Sequence, residues 1–179
     1  MALTVKPVAV NAGRVADQIQ KATDELIQEV AIAITDAALA TDAGAKDRVA
    51  VGVGGRLRAS IRPTFYQGGL VAEVGAQAKY SAFVEFGTGP RGAATNKQDL
   101  PDGYSHGPAY MPPVAALKLW ARRILGDERA AFWVARAIKR KGGTEAKPFL
   151  GPAADDAVAD LEKTLRAIEK RFNQKVKPS

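Results

Sequence analysis

From Val15 to about Ala40, apolar side chains recur at three- and four-residue steps: Val15, Ile19, Ala22, Leu26, Val30, Ala33 and Ala37. That is the period of one face of an α-helix. Asp17, Gln20, Asp24, Gln28 and Asp36 fall mainly off the stripe, while Ile27, Ile32, Ile34 and Leu39 widen it. Roughly 26 residues of helix span about 39 Å, long for a globular protein. A helix this apolar needs more than one neighbour, such as a sheet on one side and another subunit on the other. The rest of the chain has to be arranged around it.

Composition narrows what that arrangement can be. At 179 residues, 46% apolar and 25% charged, the chain reads as one ordinary globular domain with a real core. No run of 18 apolar residues exists, which excludes an apolar membrane-spanning helix. MALTVKPVAV lacks the layout of a signal peptide. With no cysteine, disulfides, thiolate metal sites and cysteine nucleophiles are excluded. One histidine argues against His-rich metal sites, and 7% aromatics argue against a stacking platform for single strands. The net charge of +7 is uneven. Residues 1–50 carry five Lys/Arg and seven Asp/Glu, whereas residues 51–179 carry 21 and 12. A basic surface of this kind fits a polyanion or an acidic protein partner.

Other elements follow from local pattern. Residues 1–10 read as extended, and Thr41–Lys46, with Gly44, reads as a break after the first helix. Val49, Val51 and Val53 alternate as in a short strand, and Arg56–Ile61 fits one helical turn. Arg62–Tyr66 and Leu70–Val74, around Gly68-Gly69, predict a hairpin. Tyr80–Phe86 fits helix or strand equally. Residues 88–113 have no period and read as a long loop or arm. Helices are predicted over Val114–Ile124, about Glu128–Lys141 with Asp127 as cap, and about Pro152–Phe172. In the last, Ala154, Val158, Leu161, Leu165 and Ile168 are expected inward. AKPFLGPA, residues 146–153, reads as extended, and the tail KVKPS is expected to fray.

No catalytic constellation stands out. GVGGR, residues 52–56, lacks the Gly-Lys-Ser/Thr ending of a phosphate loop and reads as a turn. His106 reads as polar loop surface. Asp155 and Asp156, as neighbours on a helix, point apart. Glu85 lies among Phe83, Val84 and Phe86, so its carboxylate is expected to find an arginine or backbone amides as partner. Arg136, Lys139, Arg140 and Lys141 gather at a helix end, where they complement the dipole and are candidates for contact with a polyanion or partner.

Three segments occur in a recognisable order: GGRLRASI at 54–61, YSAFVEFGT at 80–88 and AKPFLGPA at 146–153. Together they resemble the neck, or tail-completion, proteins that join head to tail in long-tailed, siphovirus-type bacteriophages. The residues that carry the resemblance are Gly55, Leu57, Ser60, Ile61, Tyr80, Glu85, Gly87, Thr88, Pro148, Phe149 and Pro152. It covers roughly residues 15–172, with a long insertion between Thr88 and Pro148.

The resemblance implies an α+β subunit over residues 1–179, a single neck or tail-completion domain. Its long N-terminal helix and C-terminal helices would lie on a small, mainly antiparallel sheet. It implies no enzyme, cofactor or metal, and no membrane. It implies a ring of identical copies, six favoured and twelve the alternative, at the neck of a virion assembled in the host cytoplasm. Partners would be the adjoining head-completion (connector) and tail proteins, with phage DNA passing through the lumen. Within that frame Gly87 would serve a sharp turn, Glu85 would accept the hydrogen bonds that fix it, and Phe149 with Leu150 would plug the core. Residues 89–113 and the basic helix end would make the binding contacts, and deleting residues 92–110 would leave a folded monomer. The alternative function is sequence-independent DNA binding through the basic C-terminal half.

Overall fold

A computed structural model of the chain describes residues 12–49 and 55–176. The expected extended start at residues 1–10, the valines 51 and 53 of the expected strand, and most of GVGGR lie outside those residues.

The first helix, α1, runs Ala12–Arg48, 37 residues or about 55 Å. It passes straight through the expected break at Thr41–Lys46. The physical reason is packing. A Cβ on Gly44 would meet the Ala153 Cβ at 3.3 Å, so glycine lets the last helix come close. Thr41 and Ala45 are buried beside it, and the Thr41 hydroxyl donates to the Ala37 carbonyl at 2.9 Å. Glycine costs about 1 kcal/mol relative to alanine within a helix; here tertiary contact overrides that preference. Val49 ends the helix, buried, with its N–H on the Ala45 carbonyl at 2.9 Å.

A short helix α2, Arg56–Ser60, leads into β1, Ile61–Tyr66. A 3-10 turn over Gln67–Gly69 returns the chain as β2, Val71–Ala76. The two strands pair antiparallel, Ile61 opposite Ala76 and Thr64 opposite Glu73, as the diglycine predicts. Gly68 and Gly69 both take positive φ, which the tight turn requires. The α+β class therefore holds, with a sheet of two strands among the described residues.

Tyr80–Phe86 resolves as helix: α3 is Ser81–Glu85. The segment 88–113 is not loop throughout. Gly89–Thr95 forms a helix, α4, with Pro90 in its first turn, and only residues 96–113 are irregular. Helices α5, Val114–Leu125, and α6, Ala130–Arg140, make a hairpin around Gly126. Asp127 accepts the Arg129 N–H at 2.8 Å in that turn. The last helix, α7, is Leu150–Val176 and packs along α1. It starts two residues before Pro152, whose missing N–H costs nothing in the first turn.

The core is Ala45, Val49, Leu57, Ile61, Phe149 and Ala153, flanked by Val74, Ala76, Val84 and Leu150. Phe149 is 1% exposed, in the plugging role expected for it. On α7 the inward residues are Ala153, Ala157 and Ile168, not the whole expected set: Val158 is 50% exposed. Small side chains form the seam with α1, which turns Ala154, Val158 and Leu161 toward a groove beside it.

Candidate functional site

The motif residues meet around Glu85. Its carboxylate is buried and accepts three backbone N–H groups. Oε2 takes Phe149 at 2.7 Å and Leu150 at 3.0 Å, and Oε1 takes Gly151 at 2.9 Å. These donors open α7, so a negative charge sits at the positive end of the helix dipole and satisfies groups that have no partner within the helix. The expectation of backbone amides is met, but the place differs. Glu85 holds the start of α7 rather than its own turn. The centre motif thereby clasps the end motif.

Gly87 makes the turn after Phe86 with φ 76°, and a Cβ there would lie 2.7 Å from the Ala146 nitrogen, the Gly92 Cα and the Thr144 oxygen. Next to it Thr88 and Thr144 form an isolated bridge. Their N–H groups donate to each other's carbonyls at 3.0 and 3.2 Å, and their hydroxyls meet at 2.9 Å. Lys147 N–H donates to the Val84 carbonyl at 2.8 Å, and Arg91 pairs with Glu145. Ser60 donates to the Leu57 carbonyl at 2.8 Å and accepts the Ala78 N–H at 3.2 Å, tying α2 to the approach of α3. Gly55 precedes α2 with φ 61°. Leu57 and Ile61 lie in the core with Phe149. Tyr80 is exposed and Pro148 lies at the surface just before Phe149; neither side chain joins the core.

His106, expected at the polar surface, is half-buried and holds the fold. Its Nε2 donates to the Phe86 carbonyl at 3.0 Å, and its own carbonyl accepts the Gly89 N–H at 2.7 Å. Tyr104 stacks obliquely on Phe86 and donates its phenol to the Gly87 carbonyl. Burial pushes the Tyr104 phenol above its ordinary pKa, and Tyr110 adds to the effect. The middle of the expected arm is thus fastened to the motif turn.

A groove of about 900 Å³ runs between α1, β2, α3 and α7, with Ile34, Ala38, Val74, Phe86 and Val158 on its walls. Glu85 borders it, but both its oxygens are engaged by the α7 amides. Asp156 pairs with Arg48 at 2.6 Å while Asp155 turns to the groove, so the adjacent carboxylates diverge as expected. Among the described residues no group of three His, Asp or Glu could hold a metal ion, and no helix is long and apolar enough to cross a membrane.

The basic candidates lie elsewhere. Arg136, Lys139, Arg140 and Lys141 are all exposed on α6 and at its end. None has an ion-pair partner among the described residues. Residues 114–141 hold eight Lys/Arg against two Asp/Glu, almost the whole net charge of the chain. Ala121, Ala131 and Ala135 close the α5–α6 hairpin, each fully buried. Phe132 and Trp133 are left outside at 45% and 64% exposure, with the Arg136 guanidinium 6.0 Å from the Trp133 ring centre. The sequence reading missed these two aromatics. The signal was there: with Ala131, Val134, Ala135 and Ile138 inward, helical period puts residues 132 and 133 on the other side.

No curated protein and no solved structure matches the chain. A family model does. It is that of the HK97-gp10-like family, whose description is "Bacteriophage HK97-gp10, putative tail-component", and it matches residues 13–87. The match takes in α1, the strand pair, α3 and the Glu85–Gly87 turn; it ends before the helical hairpin and α7. Residues 13–87 are thus similar to a family described as a phage tail component; the motif at 54–61 and nearly all of that at 80–88 fall within the match, while AKPFLGPA at 146–153 lies beyond it.

Proposed function

We propose that the chain is a virion structural subunit that joins the phage head to the tail, as a ring of identical copies around the DNA channel. The observation that carries this reading is the phage tail family match over α1, a helix that one copy leaves only partly covered. Ile19, Ile27, Ile32 and Leu39 on α1 are 46% to 62% exposed although α7 and the strand pair already pack against it. A second subunit accounts for that surface, as the width of the apolar stripe anticipates. The clasp of Glu85 on α7 serves the fold, and no catalytic role is assigned to any residue.

Six copies fit the symmetry of tail tubes in this phage class, and twelve would match a portal. The neighbours along the axis would be a connector protein and a tail protein. Sequence-independent DNA binding is the second reading, favoured by α6 cations that have no ion-pair partner among the described residues. Light scattering with negative-stain imaging of the purified chain tests the first. Closed rings are expected. A monomer that also ignores purified tail tubes would overturn it.

A further inference from the structure

We infer that the α5–α6 hairpin of one copy docks on the outward face of α1 in the next copy. The inference rests on the ring reading above and names the contact that builds the ring.

Two exposed stripes carry it. On α6, Phe132, Trp133, Arg136, Lys139 and Arg140 share the solvent side of the helix. On α1, Asp24, Ile32, Asp36 and Leu39 do the same. Each stripe sets a bulky apolar side chain one turn before a charge: Phe132 before Arg136, and Ile32 before Asp36. The signs are opposite. The basic stripe belongs to a hairpin with eight Lys/Arg and two Asp/Glu. The acidic stripe belongs to a helix with seven Asp/Glu and four Lys/Arg.

The charges are also unspent. On α1, Glu25 and Glu29 already pair with Lys175 and Arg171 of α7, and Asp42 pairs with Lys46. Asp24 and Asp36 have no cation partner among the described residues, and neither do Arg136 and Arg140. Both stripes are exposed, and nothing among the described residues satisfies them.

A protein surface suits the hairpin better than a duplex. Leu119, Ile124, Leu125, Phe132 and Trp133 are all at least 40% exposed there. Phosphates would pair the cations and leave those side chains in water. The α1 stripe offers carboxylates and apolar side chains together, so docking would bury apolar area and neutralise charge in one contact. The two patches are different surfaces of the same subunit, as a head-to-tail contact that closes into a ring requires.

Charge reversal on the full chain tests this, with assembly followed by native mass against concentration. Asp24→Lys with Asp36→Lys, or Arg136→Glu with Arg140→Glu, is expected to raise the concentration needed for assembly roughly tenfold or more. An equimolar mixture of the two double variants is expected to recover assembly, because every contact is again between opposite charges. All four positions are exposed, and unchanged thermal melting would show that the variants fold. Rings that form regardless of the reversals would overturn the contact and leave the ring reading standing. A wild-type chain that stays monomeric and also ignores purified tail tubes would overturn both. Hairpin reversal that abolishes salt-sensitive binding to a short DNA duplex, with assembly untouched, would assign the basic stripe to DNA instead.

Discussion

The Glu85 carboxylate accepts the Phe149 N–H at 2.7 Å, which joins the end of α3 to the first residues of α7 across the core. One side chain thereby fixes where the longest C-terminal helix begins and how it lies on α1. Replacing it tests that directly. Glu85→Ala leaves three helix-start N–H groups without their acceptor in a buried site, and should destabilise the fold by about 3–5 kcal/mol. Glu85→Gln keeps one acceptor oxygen but removes the charge, and should cost about 1–3 kcal/mol. Urea denaturation followed by circular dichroism measures both.

Gly87 and Gly126 both have φ 76°, but only Gly87 is enclosed. Around Gly126 a Cβ would meet nothing within 4 Å. Gly126→Ala should therefore cost only the left-handed backbone penalty, about 1–2 kcal/mol. Gly87→Ala adds a clash with three backbone atoms and should cost clearly more than its partner variant. Equal losses in thermal melting would contradict the account of the Gly87 turn.

Deleting residues 92–110 was expected to leave a folded monomer that joins poorly; the contacts of that segment point to a less stable fold as well. Removing residues 92–110 deletes Gly92, Tyr104 and His106, which hold the Phe86–Gly89 turn. The deletion should lower the melting temperature, besides impairing the proposed joining. Tyr104→Phe, losing one half-buried hydrogen bond, should cost about 1 kcal/mol. A deletion variant as stable as the parent would show that the fastening contributes nothing.

The far ends of α1 and α7 are tied by Lys175 to Glu25 at 2.9 Å and by Arg171 to Glu29 at 2.8 Å. The hydrogen bond from Lys175 holds the Glu25 carboxyl below its ordinary 4.5, and Glu25 in turn raises the Lys175 ammonium above 10.5. Below pH 4.5 the unfolded chain takes up the Glu25 proton first, so this stabilisation is lost as pH falls through the lowered value. It is also lost as pH rises past 10.5 through the raised Lys175 value. Both groups are exposed, so the effect is small and screened by salt. Glu25→Gln should flatten the acid side of the melting-temperature profile slightly at low salt and leave it unchanged at high salt.

Much of the fold can be read from local pattern. The stripe from Ile19 to Ala37 announces α1, Gly68-Gly69 announces the strand pair, and Gly126 separates α5 from α6. What local pattern missed depends on contacts between distant residues. Gly44 reads as a break because helix propensity disfavours it; its reason for being there is Ala153 on α7. The short α4 is hidden in GPRGAAT, whose glycines are held by the Thr88–Thr144 region across from them. Glu85 was legible as a carboxylate in need of amides. Which amides could not be told, because they lie 64 to 66 residues further along the chain.

The role proposed for the chain at the head–tail junction is tested most directly by locating it in purified phage particles. Gold-labelled antibody against it, imaged by electron microscopy, should mark one position between head and tail. Label along the tail shaft, at the tail tip, or absent from the particle would contradict the account.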